Sequence, residues 1–183
     1  MNTRLLGVIL FIGSLVITLN SFRSDDLDLL GTAARVIWSI SCVFGILGLI
    51  QLNALGANTS TRAVGFLPMI GFISLILAGS LRLAGVSGLG DALNNTLATI
   101  GWVGIYAGMI VVGILTIAAK AWRGWRRFLP LLTVVMVPVA FGLGQAIGNP
   151  FFGGVLAFTP WLVLGYVIAA ADPAPAIQQN ILA

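Results

Sequence analysis

The chain contains no histidine, no glutamate and one cysteine, Cys42, and its five carboxylate side chains are all aspartates. Without imidazole or a second thiolate, the ligand sets of zinc-type metal sites are excluded, and so is histidine general acid-base catalysis. A lone cysteine forms no intrachain disulfide, so it does not reveal a redox compartment; within an apolar run it reads as a small packing residue. Charge of either sign is scarce, at 8% of residues, while 59% are hydrophobic. With a mean hydropathy of +1.09, this composition fits no soluble class, and lipid is the expected solvent. The net charge of +4 does not argue for nucleic acid, because the basic residues sit at the ends of apolar runs, where membrane topology places them.

What is present is a set of six apolar runs joined by short polar stretches. A bilayer core of about 30 Å takes about 20 residues per helical span, and the runs fall at about 5–20, 32–52, 63–83, 95–119, 128–147 and 152–171. They predict an all-α polytopic bundle of six transmembrane helices filling residues 1–172 as one domain. A short tail, 173–183, opens on Pro-Ala-Pro-Ala, which ends the last helix. The first run, Leu5 to Leu19 behind Arg4, has the outline of a signal peptide. The residues after it, Asn20-Ser21-Phe22, lack a small-x-small cleavage site, so a retained span is expected.

Orientation follows from lysine and arginine in the short loops. Arg4, Arg62 and the group Lys120, Arg123, Arg126 and Arg127 fall on one side, against Arg23, Arg35 and Arg82 on the other. Both termini are therefore predicted to be cytoplasmic. Asp25, Asp26, Asp28 and Asp91 all fall on the outer side. Trp38, Trp102 and Trp161 occupy the outer halves of spans two, four and six, and Trp122 and Trp125 the inner boundary; all five are expected to anchor at the lipid interface.

The chain also echoes itself. Thr3-Arg4, Gly7 and Ile12-Gly13 align without gaps on Thr61-Arg62, Gly65 and Ile70-Gly71, and Phe128-Leu129-Pro130 repeats Phe66-Leu67-Pro68. The even-numbered spans share their tryptophan position. These echoes suggest three tandem parallel-repeat hairpins of about 60 residues each; the competing explanation is chance alignment of biased apolar composition.

Inside a membrane, function is advertised by ionisable residues kept away from lipid. No carboxylate falls within the six runs, which argues against a proton or sodium relay and against an aspartyl protease. Arg35 and Arg82 lie slightly inside the outer ends of their runs. They are expected to snorkel, or to form outer ion pairs with Asp91 or the acidic stretch Asp25, Asp26 and Asp28, or to hold an anionic lipid headgroup. Small-xxx-small pairs, Gly104 with Gly108 and Ser41 with Gly45, read as helix-packing faces. Pro138 and Pro160 lie mid-span and leave the carbonyls of Val134 and Leu156 without their helical donors. Together with Gln145, Thr133 and Thr159 they form a candidate site for a small polar solute. Asn58-Thr59-Ser60 and Asn94-Asn95-Thr96 match the glycosylation pattern, a common chance occurrence.

Leu97, Gly101-Trp102, Gly113-Ile-Leu-Thr, the run Arg123-Gly-Trp-Arg-Arg-Phe-Leu-Pro130 and the ending Trp161-Leu-Val-Leu-Gly165-Tyr166 together resemble uncharacterised small multi-spanning bacterial integral membrane proteins. The resemblance covers spans four to six best. It implies a six-span bundle in a bacterial inner membrane and carries over no functional residue.

No enzyme activity and no cofactor are expected from these residues. The leading expectation is a non-catalytic membrane subunit that packs against and stabilises other membrane protein subunits, with lipid, quinone or pigment contacts in its outer grooves. The alternative is a small-solute transporter or channel working through the kinked spans five and six. The basic loop Lys120, Trp122, Arg123, Trp125, Arg126 and Arg127 holds more positive charge than orientation requires. It is the candidate surface for anionic lipid or an acidic partner.

Overall fold

The computed structural model describes residues 2–22, 29–86 and 89–171. Asp25, Asp26 and Asp28, expected to pair with Arg35 or Arg82, and the tail after Ala171 lie outside the described residues. The helices are α1 (Thr3–Asn20), α2 (Leu29–Gln51), α3 (Thr59–Val64), α4 (Leu67–Leu83), α5 (Leu89–Ala119), α6 (Leu129–Ala146) and α7 (Pro150–Ala170), with a 3-10 turn at Gly124–Phe128. Six stretches are long and apolar enough to cross a membrane, α3 and α4 together making the third. The fold is all-helical among the described residues, a six-helix membrane bundle as expected from hydropathy. Helices α2 and α5 begin three to six residues before the apolar runs, because a helix continues through the polar interfacial zone, where the hydropathy signal has already faded.

Local chemistry explains where the chain turns. Asn2, Asn58 and Asn149 each accept a backbone N–H at a helix start, from Arg4 (3.0 Å), Ser60 (3.0 Å) and Phe152 (3.1 Å), satisfying donors that the helix cannot. The two Phe-Leu-Pro motifs do the same thing twice. Phe66 (φ −79°, ψ −12°) and Phe128 (φ −90°, ψ −13°) each precede a main span whose first turn holds the proline, where a missing N–H costs nothing. Span three is thereby broken between α3 and α4, a break that hydropathy alone does not register. At the other ends, Asn53 (φ 52°) and Lys120 (φ 51°) leave α2 and α5 in the left-handed region. Arg62 donates to the Asn53 side-chain oxygen, tying the loop back to α2.

Consecutive spans pack against one another as antiparallel neighbours, and α1 packs closely on α7, so the six spans close into a ring in chain order. The seam between α5 and α6 is the loosest of the six. Close seams are made by glycine. A Cβ on Gly7 of α1 would lie 2.7 Å from the Gly165 carbonyl oxygen of α7, and one on Gly71 of α4 would lie 2.6 Å from the Gly101 carbonyl oxygen of α5. With no hydrophobic force to drive helices together in lipid, such backbone approach is what holds them.

The ring is filled unevenly. Towards the end bearing Arg4, Arg62 and Lys120–Arg127, buried aliphatic side chains close the interior: Leu6, Leu10, Ile46, Leu49, Val112 and Leu164. Mid-bundle, an aromatic cluster takes over. Trp38 is its hub, with ring centroids 5.7 Å from Phe72, 5.2 Å from Phe158 and 5.7 Å from Trp161, all near edge-to-face, and 6.2 Å from Trp102. This corrects the expectation of lipid-interface anchoring: Trp38 and Trp161 are each 2% exposed, and Trp102 is half-buried against the same core. The physical reason is depth. At about 1.5 Å of rise per residue, nine residues into α2 and eleven into α7 is mid-membrane, too deep for a headgroup contact.

A candidate ligand cavity in one half of the bundle

Above the tryptophan hub, towards the end that carries Arg35 and Arg82, the ring is not filled. A cavity of about 600 Å³ lies between α1, α2, α5, α6 and α7, within the range of small-molecule sites. Its wall is aromatic: Trp38 of α2, Trp102 and Tyr106 of α5, Phe141 of α6, and Phe151, Phe158 and Trp161 of α7. Aliphatic Ile17, Ile105 and Val137 complete it, Ser21 and Pro150 stand near the helix ends, and Arg35 is the one charged residue among its described lining.

The sequence builds this cavity by placing small or kinked positions opposite large ones. Gly154 lines it from α7, where a side chain would meet Ser21, the residue that caps α1. In α6, Pro138 has no N–H, so the carbonyl of Val134, a lining residue, lacks its helical donor. Thr133 beside it is fully buried, its hydroxyl donating to the Pro130 carbonyl at 2.7 Å. Trp38, a lining residue, has a buried indole N–H without a hydrogen-bond partner among the described residues. The cavity therefore combines apolar area with a few unspent polar groups, the usual constitution of a site for a mostly apolar molecule with a polar handle.

Around the shared residues Arg35 and Trp102, a second, smaller cleft of about 210 Å³ lies between α2, α4 and α5. It is more polar, holding Thr32, Arg82, Asn94 and Asn95. Arg82 lies in the last turn of α4 and Asp91 in the first turn of α5, each at the helix end that its charge favours.

The residues singled out from sequence are dispersed. Of the solute-site set only Thr133 lines the cavity; Pro138, Gln145 and Thr159 are exposed, Thr159 bonding its own helix at the Val155 carbonyl (2.8 Å), and Pro160 is buried away from the lining. Arg35 and Arg82 share the smaller cleft, while Asp91 is exposed and outside its lining. The small-residue pairs face neighbours within the chain: Gly104 packs on Gly71 and Gly108 on Pro68, whereas Gly45 packs on Leu10 and Ser41 beside Gly13. In the basic loop, Lys120, Arg123, Arg126 and Trp125 are exposed, but Trp122 packs on the core and the Arg127 guanidinium lies 4.9 Å from the Phe128 ring centre. Tyr106, Phe141, Phe151, Phe158 and Thr32 line the cavities without any sequence pattern that marks them as site residues. The signal that pointed nearest was the tryptophan shared by the even spans, since equivalent positions in a closed ring converge on its interior. No family model, no curated protein and no solved structure matches this chain.

Proposed function

We propose that this integral membrane protein is a non-catalytic binding subunit whose bundle holds a largely apolar, ring-bearing or chain-bearing small molecule of quinone, pigment or lipid type. The observation that carries the reading is the 600 Å³ aromatic cavity. Tightly packed bundles have no such space, and seven aromatic residues in its lining offer the stacking and edge contacts that favour a flat or extended apolar guest. The unpartnered Trp38 N–H and the charge of Arg35 supply a donor and a cation for an oxygen-bearing group. The outward faces, which carry Leu5, Ile12, Ile100, Val103 and Ile114, are available to lipid and to partner subunits of a larger membrane complex. The basic loop adds a surface for anionic lipid or an acidic partner.

Gentle solubilisation from the native membrane, followed by mass spectrometry of everything that co-purifies, tests this directly. A stoichiometric apolar ligand is expected. In parallel, a brominated long-chain alcohol should quench the tryptophan fluorescence of the purified protein, and filling the cavity by Val137→Phe should weaken that quenching about tenfold or more while leaving helicity unchanged. Absence of both a ligand and quenching would remove the binding reading. Flux of a polar solute through liposomes carrying the protein would favour the transporter alternative instead.

A further inference from the structure

We infer that the cleft between α2, α4 and α5 is an oxyanion site, built to hold the phosphate of an anionic lipid headgroup. Its walls are three helical stripes. Thr32, Arg35 and Val36 on α2 are one turn apart. Leu75, Ala78, Gly79 and Arg82 on α4 share one face, as do Asn95, Ala98 and Trp102 on α5. Each stripe runs from apolar residues at the floor, Leu75 and Trp102, to polar ones at the mouth. Small residues Ala78, Gly79 and Ala98 keep the space open where the three helices approach.

Three features select an anion. Two guanidiniums, Arg35 and Arg82, line one cleft of about 210 Å³, and no carboxylate belongs to its described lining. Arginine stays charged at any physiological pH, so the cleft keeps two cationic side chains in its lining. Each already has an interaction of its own, yet a guanidinium presents five donors and can still take an oxygen pair bidentately. Asn94 and Asn95 add amide donors at the mouth. The third feature is Thr32, 3% exposed, with a buried hydroxyl that has no hydrogen-bond partner among the described residues. A buried hydroxyl without an acceptor is unfavourable, and an oxyanion in the cleft would offer one.

A lipid is favoured over a free ion because the cleft's floor is apolar and the cleft lies at a helix-end level, where headgroups are found. The site is separate from the aromatic cavity, although Arg35 and Trp102 wall both, and it stands whether or not that cavity is occupied.

Native mass spectrometry of the purified protein with dioleoyl phosphatidylglycerol and dioleoyl phosphatidylcholine tests the proposal. The basic loop also attracts anionic lipid, so the experiment starts from Arg123→Gln with Arg126→Gln. On this background one phosphatidylglycerol should remain bound, about tenfold preferred over phosphatidylcholine. Adding Arg82→Gln or Asn95→Leu should bring the two lipids to parity, and Arg82→Lys should retain part of the preference. Quenching by the brominated alcohol, which reports the other cavity, should persist in every variant and so certifies the fold. If the loop variant retains no preferred lipid, or if Arg82→Gln and Asn95→Leu leave the preference intact, the assignment is overturned. Inorganic phosphate separates the two sources of the anion. Displacement of the lipid by millimolar phosphate, with thermal stabilisation that Arg82→Gln abolishes, would make the free ion the occupant and overturn the lipid assignment. Resistance to such displacement supports the lipid.

Discussion

Trp38 makes more ring contacts than any other aromatic among the described residues. It touches rings from α4, α5 and α7, so its loss loosens α2 against three other helices. Trp38→Ala is expected to cost about 3–5 kcal/mol, the range for buried aromatic truncation, and to lower the thermal midpoint followed by circular dichroism in detergent. Glycines give a sharper contrast, because one chemical change has opposite signs at two sites. A methyl on Gly71 meets α5 backbone at 2.5–2.6 Å, and backbone cannot step aside, so Gly71→Ala should destabilise by about 1–3 kcal/mol, as overpacking does. A methyl on Gly142 meets nothing within 4 Å. Gly142→Ala should therefore be neutral or stabilising by up to about 1 kcal/mol, through the reduced freedom of the unfolded chain. Equal shifts in the two variants would show that backbone approach is not what holds α4 to α5.

At the scale of elements, α6 is the helix that shapes the cavity. It makes the loosest seam, with α5, and it carries a proline, Pro138, in its interior. Pro138→Ala restores a donor to the Val134 carbonyl and should straighten the helix, moving Val137 and Phe141 relative to Trp102 and Tyr106. Brominated-alcohol quenching is expected to change by several-fold, whereas Gln145→Ala should leave it alone, because Gln145 is exposed and outside the lining. The proline was legible in the sequence; the direction its helix faces was not. A span that is apolar on every side has little amphipathic signal, so hydropathy located α6 and left open whether Thr133 or Gln145 looked inward. The same reason explains Trp38 and Trp161. Their positions were visible, but the interface habit of tryptophan in membranes pointed the wrong way until depth along the helix was considered. Span three shows the opposite case. The Phe-Leu-Pro motif was visible in two copies, and in each the chain makes the same break before the main span.

Across the whole molecule, the count and order of spans came from length and hydropathy alone, because the exclusion of unpaired backbone from lipid leaves a helix as the only solution for each apolar run. The cavities were out of reach by that route. Each is assembled from stripes on three to five helices that are far apart in sequence, and what makes them is the small size of Gly79, Ala98 or Gly154 at one helix contact, not any local motif. Orientation in the bilayer sits between these extremes, since it rests on charge bias rather than on packing. The bias predicts that the end bearing Arg4, Arg62 and Lys120–Arg127 faces the cytoplasm. The molecule has a built-in means of testing this: its lone thiol, Cys42, is fully buried and should be silent to a membrane-impermeant maleimide. Ser60→Cys, at an exposed position beside Arg62, and Val86→Cys, 44% exposed at the opposite end, then each carry a single reporter. Intact cells should label Val86→Cys alone, and inside-out vesicles Ser60→Cys alone. The reverse pattern would put the aromatic cavity and the arginine cleft on the cytoplasmic side, where their ligand would come from the inner leaflet; labelling of both from one side would contradict the antiparallel order of the spans themselves.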